Sequence, residues 1–526
     1  MVASAWSDRF GTRMVRADEA TIRRYTANVS GLERAITAVL YPECSADVQA
    51  LVRMANEVRL PLFPISTGCN WGLGSKLPVR DGAALVDLSR MDRVHEVNET
   101  HGYAVIEPGV TQRKLHEHLE AAHSLYRLDV TGSGAGTSIL GNALDRGIAH
   151  HGPRAEQISG LEVVLGTGEL IRTGSGHFPQ SRTTYLYRHG IGPSLDGLFC
   201  QSNFGIVTRA AIQLLRRQPA HGVLGCAIPG EEGLAALIDG VAALVRQGVL
   251  DPCVHISNRA RARSVIGGVL AHTLAQRAAG LKLGDILDAE VRGAWNLSCP
   301  LAGTARYVRL RYREARAALR KFGPVSLMTD RTFPARRAWY RMLSFLPRLR
   351  RRAALLDTAE VFYNHSKGVP SDAALASIPW CLGAGAEGYT PGTDLDATRC
   401  GTLFVLPILP LEGPAVRAAM EVAQQITGKH GFTPYTTLNS ASPESLEAVI
   451  NIVFPRDDDA QVEHALRCVD ELVAWYMQNG YTLYRAGIQH MSSIVKADSR
   501  HWQLIARLKD VFDPNHIIAP GRYDLV

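Results

Sequence analysis

The chain has 526 residues, of which 46% are hydrophobic and 20% charged, so its composition excludes a disordered or fibrous protein. The formal net charge of +7 is spread along the chain without a dense basic tract, which argues against nucleic-acid binding. The sequence shows neither a secretory signal nor an apolar run long enough to span a bilayer, and its nine cysteines form no CxxC pair. We therefore predict a cytoplasmic protein with reduced thiols, no membrane span and no metal site.

Helices and strands alternate in the first part of the predicted structure. Ser45 is expected to cap a helix over residues 46–57, and Thr111 a helix that carries Leu115 and Leu119. Strands are predicted at residues 60–65, 83–88, 103–106 and 205–215, with a hairpin of 161–165 and 169–172. This pattern is typical of an α+β or α/β domain.

The composition changes twice along the chain. Residues 218–482 have longer amphipathic segments and few glycine clusters, which predicts a separate domain after residues 1–217. Residues 483–526 end in the turn-rich stretch Asp513-Pro-Asn-His-Ile-Ile-Ala-Pro-Gly-Arg522. We expect this tail to return to the first domain.

Two glycine-rich loops are suited to binding phosphate groups. The first runs from Pro64 to Ser75 after a predicted strand, and the second from Thr131 to Asn142. Glycine permits positive φ angles and close backbone approach, so several N–H groups can point at one anion. The second loop reads GxGxG with Thr137 at the sixth position, and no acidic residue follows at the spacing of a Rossmann fingerprint. A nicotinamide-binding Rossmann fold is therefore disfavoured.

Five segments in a fixed order carry a family resemblance. They are PISTGCNWGLGS at 64–75, VIEPGVT at 105–111, GTSILGNALDRG at 136–147, GLFCQSNFGIVT at 197–208 and DPNHIIAPGR at 513–522. Together they resemble the vanillyl-alcohol oxidase and 4-cresol dehydrogenase family. The resemblance implies an α+β flavoprotein of two domains. A p-cresol methylhydroxylase-type (PCMH-type) FAD-binding domain would be built from the N-terminal part and the C-terminal tail, with a substrate cap domain between them.

The expected contacts with FAD lie in these segments. Backbone amides of both glycine-rich loops would neutralise the pyrophosphate, and Arg522 would add positive charge near the flavin. The residues predicted to bind FAD are Ser66, Thr67, Gly68, Cys69, Asn70, Trp71, Gly74, Pro108, Gly109, Gly132, Ser133, Gly134, Gly136, Thr137, Gly141, Asn142, Gly205, Ile206, Val207 and Arg522.

The family's catalytic residues are only partly matched. Tyr484 and Arg485 correspond to a tyrosine and an arginine that hold a phenolate in the relatives, and they suit an anionic oxygen. A second phenolate-binding tyrosine falls on Leu73, and an aspartate near the flavin N5 falls on Ser133. His150 occupies the position of a catalytic tyrosine, so His150 or His151 is a candidate base, and a plain hydrogen-bonding role is the alternative.

The mode of FAD attachment is predicted to differ from that of the relatives. Alignment on Ile452-Val453-Phe454 places Ala448 at the family's histidyl attachment position, and Tyr435 is a candidate for tyrosyl attachment. We predict noncovalent FAD.

The predicted activity is removal of hydride from a benzylic, alcohol or amine carbon of a small aromatic or anionic substrate. Oxygen or a redox protein would accept the electrons, and the resemblance suggests a homodimer. The alternative is a degenerate flavin-binding or partner-binding protein that has kept the fold, which the departures at Leu73, Ser133 and Ala448 favour.

Overall fold

A computed structural model describes residues 2–277, 282–383 and 392–525. The helices are α1 Val2–Met14, α2 Glu19–Thr26, α3 Ser45–Val58, α4 Gln112–Ala121, α5 Ile139–Leu144, α6 Leu234–Arg246, α7 Arg259–Arg277, α8 Leu283–Glu290, α9 Ala305–Leu319, α10 Thr332–Met342, α11 Pro347–Ser366, α12 Ser377–Cys381, α13 Gly413–Lys429, α14 Asp459–Gln478, α15 Met491–Ile494 and α16 Arg500–Phe512. The strands are β1 Val15–Arg16, β2 Ile36–Leu40, β3 Leu62–Ile65, β4 Ala83–Asp87, β5 Val94–Asn98, β6 Tyr103–Ile106, β7 Tyr126–Arg127, β8 Ile148–Ala149, β9 Gly152–Pro153, β10 Ile158–Leu165, β11 Leu170–Arg172, β12 Gly205–Gln213, β13 Leu215–Arg216, β14 Ala220–Ile228, β15 His255–Asn258, β16 Trp295–Gly303, β17 Val325–Thr329, β18 Cys400–Val405, β19 Ile408–Pro410, β20 Tyr435–Ser440 and β21 Ser445–Pro455.

The N-terminal part contains two larger sheets, and the structure is α+β. One sheet has the order β1-β2-β4-β3, in which β2 and β3 both pair in parallel with β4. The other has the antiparallel order β11-β10-β12-β6-β5. All five residues of β4 are buried, as expected for a parallel strand covered on both faces. The loop that follows β3 is the first glycine-rich loop, so a rigid strand fixes where this loop starts.

The first predicted helix is present, but its capping differs from the prediction. Cys44 occupies the cap position of α3 and makes no side-chain cap bond, and Ser45 is the first helical residue. The Ser45 hydroxyl instead donates to Glu162 at 2.8 Å. The prediction at Thr111 is confirmed, because its side chain accepts from the backbone N–H of Lys114 at 3.1 Å.

A single large sheet organises the middle of the chain. Its order is β17-β14-β16-β15-β20-β21-β18, with β19 also paired to β21. Successive side chains of a strand point to opposite faces. In β21, Leu446, Ala448 and Ile450 belong to the large hydrophobic core, which includes residues of α6, α9, α13 and α14. Glu447 and Asn451 therefore point to the other face, toward the N-terminal part of the chain. The domain limits given above stay a prediction.

The C-terminal tail contacts the first sheet. The backbone N–H of Leu62 donates to the carbonyl of Ile517 at 2.7 Å, and the N–H of Ala519 donates to the carbonyl of Leu62 at 2.7 Å. The fully buried ammonium group of Lys509 donates to Asp513 at 2.6 Å and to the carbonyls of Asn203 and Ile518. The tail thus extends the edge of β3 and is held by a buried ion pair. Within the described ranges, no helix is long and apolar enough to cross a bilayer.

Removing the buried ammonium group should destabilise the protein. Replacing Lys509 with Met leaves Asp513 buried without its cation, which costs about 3–5 kcal/mol. We expect this loss in the free energy of unfolding measured by urea titration of the FAD-bound protein. Lys496→Met, at an exposed position near the same helix, should change it by less than about 0.5 kcal/mol. Equal stability of the two variants would contradict the anchoring role of Lys509.

Candidate active site

A deep cavity opens between the N-terminal sheets and the large sheet. Most of the residues predicted to bind FAD line it, although they come from five separate segments. These are Ser66, Thr67, Gly68, Cys69, Asn70, Trp71, Pro108, Gly132, Ser133, Thr137, Gly141, Asn142, Gly205, Ile206, Val207 and Arg522. The fold therefore gathers both glycine-rich loops around one space.

Four predicted glycines lie outside the cavity lining: Gly74, Gly109, Gly134 and Gly136. Gly74 has a φ of 114°, and a Cβ there would lie 2.8 Å from Ile488. A Cβ at Gly109 would lie 2.4 Å from the carbonyl oxygen of Ser89. These two glycines are needed for turn conformation and close packing, and we do not expect them to touch the cofactor.

The cavity also contains residues that sequence reasoning missed. They are contributed by the α5 end, the loop before β12, and the middle of the chain: Asp145, Gln201, Arg261, Ala374, Leu375, Ile378, Phe404 and Asn451. Asp145 lies inside the segment GTSILGNALDRG, which carries the family resemblance. An acidic residue at the end of the helix that follows a glycine-rich loop could therefore have been identified from the sequence as a candidate site residue. The others come from segments without a motif and reach the cavity only through the fold.

A buried ion cluster occupies one end of the cavity. Asp145 accepts from Arg522 at 2.8 Å and forms a short ion pair with Arg485, and Arg485 also donates to Asn70 at 2.6 Å. Burial alone would raise the pKa of Asp145, but the two arginines hold this pKa below its usual value. Two cations thus share one carboxylate, which leaves a positive charge in the cluster.

Tyr484 and Glu447 are placed beside this cluster without partners of their own. The backbone N–H of Tyr484 donates to Leu406, next to β19, which pairs with β21 at Glu447. Glu447 is 8% exposed, and its Oε2 atom is buried with no hydrogen-bond partner. The described residues provide no hydrogen-bond partner for the Tyr484 hydroxyl either. Burial raises the pKa of Tyr484, and Arg485 opposes that effect.

The structure does not place His150 or His151 as a base that faces the cavity. His150 Nδ1 lies 3.1 Å from His255 Nε2, and His150 Nε2 lies 2.9 Å from His365 Nδ1, so both ring nitrogens are occupied. His151 pairs with buried Asp129 at 3.1 Å. Neither histidine is among the cavity-lining residues. A catalytic role for either histidine stays a prediction, with a plain hydrogen-bonding role as its alternative.

His255, His150 and His365 form a histidine array. Its ends lie 2.7 Å from Asn439 Oδ1 and 3.3 Å from the carbonyl oxygen of Thr131. The array contains four hydrogen bonds: one between Asn439 and His255, two between the rings, and one from His365 to Thr131. Each neutral ring has only one N–H proton, so three rings supply three of the four protons required. The fourth must come from a group at one end of the array. Because burial lowers the pKa of all three histidines, we infer neutral rings with the Asn439 NH₂ group turned toward His255. Every ring nitrogen of the array lies within hydrogen-bond distance of the next group in the array. Among the described residues there is no group of three or more His, Cys, Asp or Glu side chains that could hold a metal ion.

The cavity fits a dinucleotide with a polar ring system. Trp71 Nε1, Asn142 Oδ1 and Arg485 Nε are buried atoms of the lining that lack a hydrogen-bond partner. Unpaired buried polar atoms are rare in folded proteins, so these atoms indicate a bound group that pairs with them. With the two glycine-rich loops they provide donors and acceptors for a pyrophosphate and for an isoalloxazine ring.

The fold and cavity define the class of protein as a flavoprotein, and sequence comparison agrees. Residues 36–174 match the family described as "FAD binding domain". Residues 447–523 match the one described as "FAD linked oxidases, C-terminal domain". The two matches contain the glycine-rich loops and the Tyr484-Arg485 pair.

Comparison with individual proteins extends over nearly the whole chain. The chain is 35% identical to the 1'-carboxy-chondrochloren decarboxylase of Chondromyces crocatus over 99% of its length and 96% of the relative. It is 25% identical to the 4-cresol dehydrogenase flavoprotein subunit of Pseudomonas putida over 90% of this chain and 85% of that one. The solved 4-ethylphenol oxidase of Gulosibacter chungangensis, in its isoeugenol complex, is similar with a TM-score of 0.85 and 25% identity, over 99% of this chain and 96% of that structure.

The chain belongs to the vanillyl-alcohol oxidase and 4-cresol dehydrogenase family of FAD-dependent oxidoreductases. It is an enzyme of the oxidase or dehydrogenase type, and its cofactor is FAD. The predictions of the family, the fold class and the cofactor are confirmed, and the degenerate alternative is disfavoured.

Ala448, at the family's histidyl attachment position, does not line the cavity. Ala448 is fully buried in the large core, on the face of β21 opposite Asn451. Tyr435 also lies outside the cavity lining, and its hydroxyl interacts with Cys381. Among the described lining residues there is no histidine or tyrosine. Noncovalent binding therefore stays our prediction.

Acid precipitation tests the mode of FAD binding. Trichloroacetic acid unfolds the protein, and FAD that is not covalently bound is then released. The supernatant should therefore be yellow and the protein pellet colourless. A yellow pellet would overturn the prediction. Repeating the test with Tyr435→Phe then shows whether Tyr435 is the attachment point, since only its loss would make the pellet colourless.

The histidine array predicts a pH dependence of stability. Burial lowers the pKa of His365 to about 4, below the value of about 6.5 in an unfolded chain. As pH falls through this range, the unfolded chain binds protons that the folded chain does not, so stability is lost. His365→Gln removes one proton from the difference in proton uptake between the unfolded and folded states. The slope of the free energy of unfolding against pH should therefore fall by about 1.4 kcal/mol per pH unit. Urea titrations between pH 4 and pH 7 measure this slope, with exposed His464→Gln as the control. An unchanged slope in His365→Gln would contradict it.

Proposed function

We propose that the enzyme removes hydride from an activated carbon of a small, anionic, aromatic substrate. FAD, when bound, accepts that hydride. The activated carbon is benzylic or carries a hydroxyl or amino group. The observation that supports the proposal is a pair of buried polar atoms without a hydrogen-bond partner, Arg485 Nε and Glu447 Oε2. Tyr484 interacts electrostatically with both residues. The names of the relatives, a cresol dehydrogenase and an ethylphenol oxidase, point to the same substrate class.

The ion cluster explains why an anionic substrate is favoured. Arg485 is a fixed cation because Asp145 and Asn70 hold its Nη2 atom, while its Nε atom has no partner. Charge-assisted hydrogen bonds to a phenolate or carboxylate are stronger than neutral ones. The Tyr484 hydroxyl adds a neutral donor. Arg522 and the loop amides would hold the cofactor, so Arg485 is left to orient the substrate oxygen.

A second reaction, oxidative decarboxylation, is favoured by the relative with 35% identity, whose name is that of a decarboxylase. In a 3-(4-hydroxyphenyl)propionate, hydride loss from the benzylic carbon of the phenolate gives a quinone methide. The carbon–carboxylate bond then breaks, its electron pair forms the new double bond and restores the phenolate, and CO₂ leaves. The electron acceptor for the reduced enzyme is proposed to be oxygen or a redox protein, and the homodimer stays a prediction.

Anaerobic mixing with candidate substrates tests both reactions. The panel consists of 4-alkylphenols, aryl alcohols, arylamines and 3-(4-hydroxyphenyl)propionate, and bleaching of the yellow flavin reports hydride transfer. We expect bleaching with anionic aromatic members and weaker bleaching with their methyl ethers. Release of CO₂ together with bleaching would select the decarboxylase reaction. Failure of every member to bleach the flavin would contradict the proposed substrate class.

Tyr484→Phe separates substrate binding from cofactor binding. It removes one hydroxyl that has no hydrogen-bond partner among the described residues, so folding and FAD content should not change. Loss of a hydrogen bond to a charged oxygen should lower kcat/KM about ten- to a hundredfold. Tyr481→Phe, three residues earlier, should leave kcat/KM unchanged. An unaltered kcat/KM in Tyr484→Phe would remove the hydroxyl from the substrate site.

A further inference from the structure

Glu447 is a buried acidic residue that neither the family resemblance nor the sequence motifs identify. It lies on β21 between Asn439 on β20 and Ile408 on β19. Asn451, four residues further along β21 and on the same face, lines the cavity. The alternation of the strand therefore directs the Glu447 side chain to the cavity side of the sheet.

The surroundings of Glu447 are polar but leave its carboxyl group unpaired. Its Oε2 atom is buried without a hydrogen-bond partner. The charged or titratable groups that influence it are Arg485 and Tyr484 from the tail, Glu156 from the first domain, and Cys253 before β15. The negative charge of Asp145 is already balanced by its ion pairs with Arg485 and Arg522. A buried polar group without a partner is costly, so Glu447 indicates a ligand atom that pairs with it.

The protonation state of Glu447 decides what it can bind. Burial raises the pKa of its carboxyl group to about 8, with Glu156 adding to the effect and Arg485 opposing it. At neutral pH the carboxyl group is therefore mostly protonated and has an O–H donor. Burial also raises the pKa values of Tyr484 and Cys253 well above this range, so neither group ionises near pH 8.

We propose that Glu447, as a neutral carboxylic acid, donates a hydrogen bond to the anionic oxygen of the substrate, together with Tyr484 and Arg485. This role rests on the proposed anionic substrate. It supplies the third donor that the replacement of a tyrosine by Leu73 removes from the site. A neutral acid can stabilise an anionic oxygen in this way, whereas an ionised carboxylate at the same position would repel it.

The pH dependence follows from the sign of the shift. The donor is present below about pH 8 and is lost as pH rises through the pKa of Glu447. Affinity for an anionic ligand should therefore fall above about pH 8. A catalytic base at this position would behave oppositely, because activity would then rise with pH as the carboxylate forms.

Binding of 4-hydroxybenzoate to the FAD-loaded enzyme tests the role without requiring turnover. The shift of the flavin absorption spectrum gives the Kd at each pH between 6 and 9. Glu447→Gln keeps an N–H donor and cannot ionise, so we expect a Kd within about threefold of the wild type at pH 7 and no weakening above pH 8. Glu447→Leu should weaken binding about ten- to a hundredfold. Exposed Glu444→Gln is the matched control on the same hairpin and should behave as wild type.

Three results would overturn the proposal. Glu447→Leu could bind as tightly as the wild type, or the wild type could bind with no pH dependence near pH 8. In turnover with a panel substrate, a loss of more than a hundredfold in kcat for Glu447→Gln with an unchanged Kd would identify a base instead. If no panel substrate is oxidised but ligand binding still depends on Glu447 as described, the proposed reaction fails and the donor role stands.

Discussion

The sharing of one buried carboxylate by two arginines holds the active site together. Asp145 follows α5, Arg485 begins the C-terminal tail and Arg522 lies near its end, so the ion cluster joins segments that are 340 and 377 residues apart in sequence. An unpaired buried charge is strongly unfavourable, so each of the three groups requires the others in place. The cluster therefore couples closure of the tail onto the first domain to formation of the cavity. The buried ion pair of Lys509 and Asp513 also holds the tail, because Lys509 donates in addition to the carbonyls of Asn203 and Ile518.

The alternation of side chains along the large sheet decides which residues of the middle of the chain face the cavity. On β21 the core contains Leu446, Ala448 and Ile450, while Asn451 lines the cavity and Glu447 lies on the same face of the strand as Asn451. A shift of one residue in register would exchange these two sets. A histidine at position 448 would thus point into the core. The pairing of β15 with β20 places His255 beside Asn439, and the histidine array then connects the large sheet to the segment that carries His150.

The lining of the cavity around the glycine-rich loops could be predicted from the sequence, whereas its residues from the middle of the chain could not. A loop that binds phosphate depends on its backbone conformation, and closely spaced glycines after a strand indicate such a conformation. The loop from Pro64 to Ser75 could therefore be identified from its sequence. Substrate contacts depend on single side chains from distant segments. The partners of His150 lie 105 and 215 residues away, so counting from a motif placed it near the site but could not show that its nitrogens are occupied. Arg261 and Glu447 carry no local signal, because an isolated charged residue on an amphipathic helix or strand is ordinarily solvated.

The charge balance of the cavity supports the proposed anionic substrate. Within the ion cluster, Arg485 and Arg522 contribute two positive charges and Asp145 one negative charge, and Arg261 adds a further positive charge to the lining. Burial keeps Glu447 mostly neutral at pH 7, so it does not offset this excess. An ionised Glu447 would reduce the excess and weaken the attraction for an anionic oxygen. Leu73, at the position of a family tyrosine, is buried and lines the cavity. Under the proposed function, Tyr484, Arg485 and Glu447 would supply the hydrogen bonds to the substrate oxygen in its place.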